Sequence, residues 1–143
     1  MMKKIWFFLL VLFATASQSA FGQCQTDEFL DNCASRLESF TFIKAFNTSM
    51  TKTGAEEFSY VFSKGSNYLI IVCDQNNAGE RMIVSLYDRN RKLIASSYNP
   101  KTKTYYPDIL YPCTATGVYY LEAKLEGAKG GCGVTILGFM KSE

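Results

Sequence analysis

Apolar residues recur along this chain with three different rhythms. The first is a continuous run, Ile5 to Ala16, with Lys3 and Lys4 before it and Ser17-Gln18-Ser19-Ala20-Phe21-Gly22 after it. That run falls well short of the ~20 residues a membrane-spanning helix needs. A basic start, an apolar middle and a small-residue end predict a signal peptide over residues 1–22. Ala20 and Gly22 satisfy a small-x-small cleavage rule, so the mature chain is expected to start at Gln23, with cleavage after Ala20 as the alternative. The second rhythm is helical. Phe29, Leu30, Cys33 and Leu37 are spaced near 3.6 and predict a short helix over about 26–38. Thr26 is its expected N-cap, and Asp27 and Glu28 suit the first turn.

From Phe40 onward the period falls to two. Phe40, Phe42 and Phe46 open a first strand, and the polar stretch Asn47 to Gly54 reads as a loop. Phe58, Tyr60 and Phe62 alternate with polar residues in a second strand, which ends at the turn signal Lys64-Gly65-Ser66-Asn67. Tyr68 to Cys73 is apolar on both faces, as in a central strand. Met82, Val84 and Leu86 begin a hairpin that turns at Asp88-Arg89-Asn90-Arg91 and returns over Lys92 to Ser97. Asn99 to Asp108 reads as a tyrosine-bearing loop, and Ile109 to Cys113 as a short extended segment. Gly117 opens the clearest alternation, with Tyr119, Leu121, Ala123 and Leu125 on one face and Glu122, Lys124 and Glu126 on the other. Cys132 to Met140 is the last strand. Seven or eight strands with short turns predict a mostly β domain over 23–143. The expected fold is an antiparallel β-sandwich, jelly-roll-like, with one short N-terminal helix on an edge or an end.

Composition narrows the function classes. Loss of Lys3 and Lys4 takes the formal charge from +2 to zero, which removes the electrostatic case for binding nucleic acid or an anionic membrane. No second apolar segment approaches membrane-spanning length. The chain has no histidine, which excludes Ser-His-Asp and Cys-His catalysis and histidine-containing zinc sites. Localisation is expected to be periplasmic or secreted, where cysteines default to disulfides. Of the five cysteines, Cys24 and Cys33 close a short local loop and are the first expected pair. Cys113 and Cys132 join two late strands and are the second. Cys73 is then the free-thiol candidate, with a Cys73–Cys113 pair as the competing arrangement. A lipid-modified Cys24 would need a small residue before it, and Gln23 stands there.

Four segments carry a family resemblance: Tyr68 to Cys73, Ile83-Val84-Ser85-Leu86-Tyr87-Asp88, Leu93 to Ser97, and Gly117-Val118-Tyr119-Tyr120-Leu121-Glu122-Ala123. Together they resemble the bacterial pre-peptidase C-terminal domain over about residues 56–140; a short exported bacterial protein outside that family is the alternative. The resemblance implies a β-sandwich attached to secreted proteases, without catalytic residues of its own. This chain departs from it in lacking a protease domain and in carrying a helix and cysteines near its N-terminus.

The best binding candidates are Tyr98, Tyr105, Tyr106 and Tyr111 around the 99–108 loop, with Lys101 and Lys103 interleaved. Exposed aromatics beside polar groups can stack on sugar rings or anchor a protein. Asp74, Asn76 and Glu80 are calcium candidates in an oxygen-rich loop that lacks the Asp-x-Asp-x-Asp-Gly run. Glu122 and Glu126 share one strand face, the arrangement of a solvated face rather than of acids opposed across a cleft. The expected function is an exported, non-catalytic binding or accessory module without a cofactor, contacting a glycan or protein through this tyrosine-bearing end. The alternatives are a structural cell-envelope protein linked through the odd cysteine, and a small hydrolase.

Overall fold

In the computed structural model, which describes residues 27–50, 54–74, 81–126 and 131–143, the helical rhythm becomes α1 (Asp27–Ala34) and a 3-10 turn over Ser35–Leu37. Glu38 ends it with a positive φ of 50°. The predicted signal peptide, the N-cap Thr26 and Cys24 lie outside the described residues. The remainder is strand: β1 (Thr41–Met50), β2 (Ala55–Phe62), β3 (Ser66–Asp74), β4 (Arg81–Tyr87), β5 (Leu93–Ser96), β6 (Tyr98–Asn99), β7 (Thr104–Tyr105), β8 (Asp108–Pro112), β9 (Gly117–Glu126) and β10 (Gly131–Lys141).

Eight of these form two antiparallel sheets, ordered β1-β10-β3-β8 and β2-β9-β4-β5. The pairing is nested. β1 meets β10, β2 meets β9, β3 meets β8 and β4 meets β5, as in one long hairpin rolled up on itself. Two further ladders, β10 with β3 and β9 with β4, close the roll. This is the jelly-roll form of a β-sandwich, as the sequence predicts. The core lies between the sheets, where Phe62, Ile70, Val84, Leu86, Leu121 and Leu137 are buried. Phe62 stacks on Tyr68 with ring centroids 3.9 Å apart, and on Tyr119 at 4.8 Å. Phe46 on β1 stacks against Phe58 on β2 at 4.7 Å, joining the two sheets at one side.

The helix corrects two expectations. It sits on the outer face of the first sheet rather than on an edge or an end. Leu30, Cys33, Ala34 and Leu37 form one helical stripe that covers Leu69, Ile71, Cys73, Val134 and Ile136. Both faces of β3 are therefore covered, which is why Tyr68 to Cys73 carries no polar alternation. Gly138 on β10 lies directly under this cover. A Cβ there would come within 2.5 Å of the Leu37 side chain and 3.3 Å of the Thr41 carbonyl oxygen.

The disulfides are the second correction. Cys33 is bonded to Cys73, not to Cys24. The helix stripe and the outward side of β3 bring the two Cα atoms to 6.2 Å across 40 residues of chain. Cys113 is not paired with Cys132; it is a buried free thiol. Its backbone N–H donates to Ser66 at the start of β3, whereas Cys132 lies at the other end of the sandwich, opposite Ser49 on β1. Cys132 is itself disulfide-bonded. The free-thiol expectation for Cys73 and the competing Cys73–Cys113 pair both fall with the Cys33–Cys73 bond.

Two expected loops contain strand. Asn47 to Met50 continues β1, because Thr48 turns inward and is fully buried while Asn47 and Ser49 face outward. The 99–108 segment contains the small β6–β7 hairpin.

Candidate functional site

The β6–β7 hairpin grows out of a buried serine. Ser97 exchanges backbone hydrogen bonds with the fold on both sides: its N–H donates to Val84 O at 2.9 Å, and its carbonyl accepts from Tyr106 N–H at 2.7 Å. Its hydroxyl oxygen accepts the Val84 N–H at 2.9 Å. The hairpin root is thereby fixed to β4. At the turn, Asn99 Oδ1 accepts the Lys101 N–H, an Asx-type turn that lets so short a ladder reverse.

On this root stand three of the four predicted tyrosines. Tyr98 and Tyr105 are register partners, with ring centroids 4.6 Å apart. The Tyr105 hydroxyl donates to Glu126 Oε2 at 2.9 Å, and the Arg81 guanidinium lies 4.7 Å over the Tyr105 ring. Burial holds the Tyr105 phenol above its ordinary range, and the bond to Glu126 adds to this. Tyr106 is 46% exposed. Tyr111 does not belong to the group. β8 carries it to the opposite end, where its ring lies 6.2 Å from Phe62 and its hydroxyl 3.2 Å from that of Tyr119.

Beside Tyr106 opens a cleft of about 240 Å³. Arg36, from the 3-10 turn, forms one wall, and Arg81 and Asp74 form another; the Cys33–Cys73 disulfide also lines it. Arg36 donates through Nη2 to the Pro107 carbonyl and through Nη1 to Val72 O at 3.5 Å. Arg81 Nε lies 3.4 Å from Asp74 Oδ2, an oxygen that also accepts the Met82 N–H at 2.8 Å. Helix, β3, β4 and the hairpin thus meet around one small opening.

A larger cleft, about 570 Å³, lies at the opposite end between the β4–β5 and β8–β9 turns. Its polar groups are engaged by the fold. Asp88 Oδ1 accepts from Asn90 N–H and Lys92 N–H, and Thr116 Oγ1 accepts from Lys64 N–H. Tyr119 donates to Ala115 O at 2.6 Å. Burial keeps the Tyr119 phenol protonated far above the ordinary tyrosine range, with help from its bonds to Tyr111 and Cys113.

Of the calcium candidates, Asp74 is committed to Arg81 and Met82, while Asn76 and Glu80 lie outside the described residues. Among the described residues no cluster of three His, Cys, Asp or Glu side chains could hold a metal ion, and no helix is long and apolar enough to cross a membrane. Glu126 is tied to Tyr105, and Glu122 faces Glu57 across the outer surface of the second sheet. Sequence reasoning missed Arg36 and Arg81. Neither sits in a local motif, and only the packing of the helix over β3 places them at one opening. Compared with known proteins, the chain matches no family model and no curated protein.

Proposed function

We propose that this protein is an exported, non-catalytic binding module of the pre-peptidase C-terminal type, and that it holds a glycan at the β6–β7 hairpin. The observation that carries the reading is Tyr106. It is a large aromatic left 46% exposed at the rim of a cleft, on a hairpin anchored by Ser97 and braced by the Tyr98–Tyr105 pair. Rigid aromatic rings lose little entropy on binding and offer a face for the C–H side of a sugar. The cleft's small volume favours a single ring over a protein surface.

Export is supported by the pattern of residues 1–22 and by the Cys33–Cys73 bond, a kind of link that persists in oxidising compartments. The reading of a structural protein linked through the odd cysteine draws less support, because Cys113 is only 5% exposed. The hydrolase reading draws less support: the clefts at the two ends of the sandwich each present one described carboxylate, Asp88 in the larger and Asp74 in the smaller. The test is an oligosaccharide array probed with the purified protein and with Tyr106→Ala, using Tyr111→Phe as a control at the far end. Binding that falls at least tenfold in Tyr106→Ala and holds in Tyr111→Phe supports the site. Binding indifferent to Tyr106 overturns it.

A further inference from the structure

We propose that the cleft beside Tyr106 recognises a carboxylate, and that the glycan is an acidic one whose uronate group sits between Arg36 and Arg81. This rests on the binding-module reading and specifies its ligand.

The argument begins with charge. Among the described residues that line the cleft, two guanidiniums face one carboxylate. Asp74 is shared between Arg81 and the Met82 N–H. Arg36 has no acidic partner among the described residues; the acceptors of its two bonds are neutral carbonyls, Pro107 O and Val72 O. A guanidinium has five N–H donors, so Arg36 keeps three beyond those bonds, and its charge meets no carboxylate among the described residues. Counted over its described lining residues, the cleft carries one positive charge in excess, on a half-buried guanidinium that an anion would pair.

Geometry then selects the anion. Arg36 is not free to swing away. Its bond to the Pro107 carbonyl, which also accepts the Val72 N–H at 2.9 Å, ties it to the residue next to Tyr106. The Cys33–Cys73 bond fastens the helix that leads into this turn to β3. A fixed, planar fork matches a carboxylate in a bidentate pair. A carboxylate also brings a single negative charge, equal to the excess, whereas a phosphate monoester carries roughly −1.5 to −2. Tyr106 completes the arrangement by offering its ring to the sugar that bears the acid.

The experiment measures binding of the full chain to uronate oligosaccharides (galacturonate, glucuronate-containing and mannuronate) and to their carboxyl-reduced counterparts, by isothermal calorimetry. The expected result is binding of at least one uronate, weakened about tenfold or more on carboxyl reduction. Arg36→Gln should produce the same loss and abolish the preference for the acid, while Arg36→Lys should retain part of it. Thermal unfolding of each variant separates a lost site from a lost fold, and Arg81→Gln provides a second variant that leaves the helix contact intact. Equal binding of acidic and reduced sugars, still dependent on Tyr106, overturns the carboxylate subsite and leaves the binding module standing. Preference for sulfated or phosphorylated sugars overturns the carboxylate assignment. Absence of binding to every saccharide overturns both readings together.

Discussion

Replacing Cys33 and Cys73 together by alanine removes the only described covalent link between α1 and the sandwich. The bond spans 40 residues, and loop-closure entropy for a ring of that size amounts to about 4 kcal/mol of lost denatured-state freedom. Loss of a buried sulfur adds to this, so Cys113→Ala, which removes a buried thiol without breaking a covalent link, is the control. For a domain of this length, about 4 kcal/mol corresponds to a fall in Tm of roughly 15 °C and to a drop in urea midpoint of about 2 M. Equilibrium urea unfolding followed by circular dichroism, without reductant so that the Cys132 disulfide survives, gives both the midpoint and the slope. The slope should rise in the double variant, because an uncrosslinked denatured chain exposes more surface. A midpoint within about 0.3 M of the parent, where Cys113→Ala costs as much, refutes the claim that this link restrains the unfolded chain.

Three further outcomes follow from the burial of particular side chains. Phe62→Ala should cost about 3–5 kcal/mol in the same assay, since the ring is fully buried between Tyr68 and Tyr119. Val61→Ala, one residue earlier and 56% exposed, should change stability by no more than about 0.5 kcal/mol. Tyr119, whose phenol is held protonated in the folded state first by burial, contributes stability that is complete below the ordinary tyrosine pKa of about 10 and is lost as pH rises toward its raised folded value. Absorbance at the tyrosinate band should therefore show Tyr119 ionising only as the protein unfolds in strong alkali, and Tyr119→Phe should abolish that delayed step.

The sandwich was legible because half-buried strands advertise themselves. The alternation at Phe58–Phe62 and at Tyr119–Leu125 fixes which side chains face the core, and every inward residue there is buried or partly buried. The doubly apolar β3 also marked its central place. What covers its outer face was not legible, since a helix stripe states that it needs a partner but not which one. That gap accounts for the disulfide error: nearness in sequence favoured Cys24–Cys33, whereas the packed helix put Cys33 over Cys73. The extension of β1 through Asn47 to Met50 was hidden by polar residues that satisfy an outer face as readily as a loop. The tyrosine group was partly legible. Tyr98, Tyr105 and Tyr106 lie near one another in sequence and in space, but strand β8 separates Tyr111 from them by carrying it down the sandwich. Arg36 and Arg81 come from elements 45 residues apart in sequence, joined only by tertiary packing.

The nested pairing also imposes an order in time. β10 occupies the slot between β1 and β3, and β9 the slot between β2 and β4. A chain emerging from its N-terminus has neither slot-filler until Gly117 and the residues after it are made. Before then the pairings it can complete are the local ones, β4 with β5 and β6 with β7, followed by β3 with β8. Strands β1 and β2 wait with open edges, the state most exposed to wrong partners. The sandwich thus closes only once β9 and β10 have been made, and it closes through long-range contacts, which slow folding for a domain of this size. A chain that stays open until its final strand appears is also one that can still be threaded.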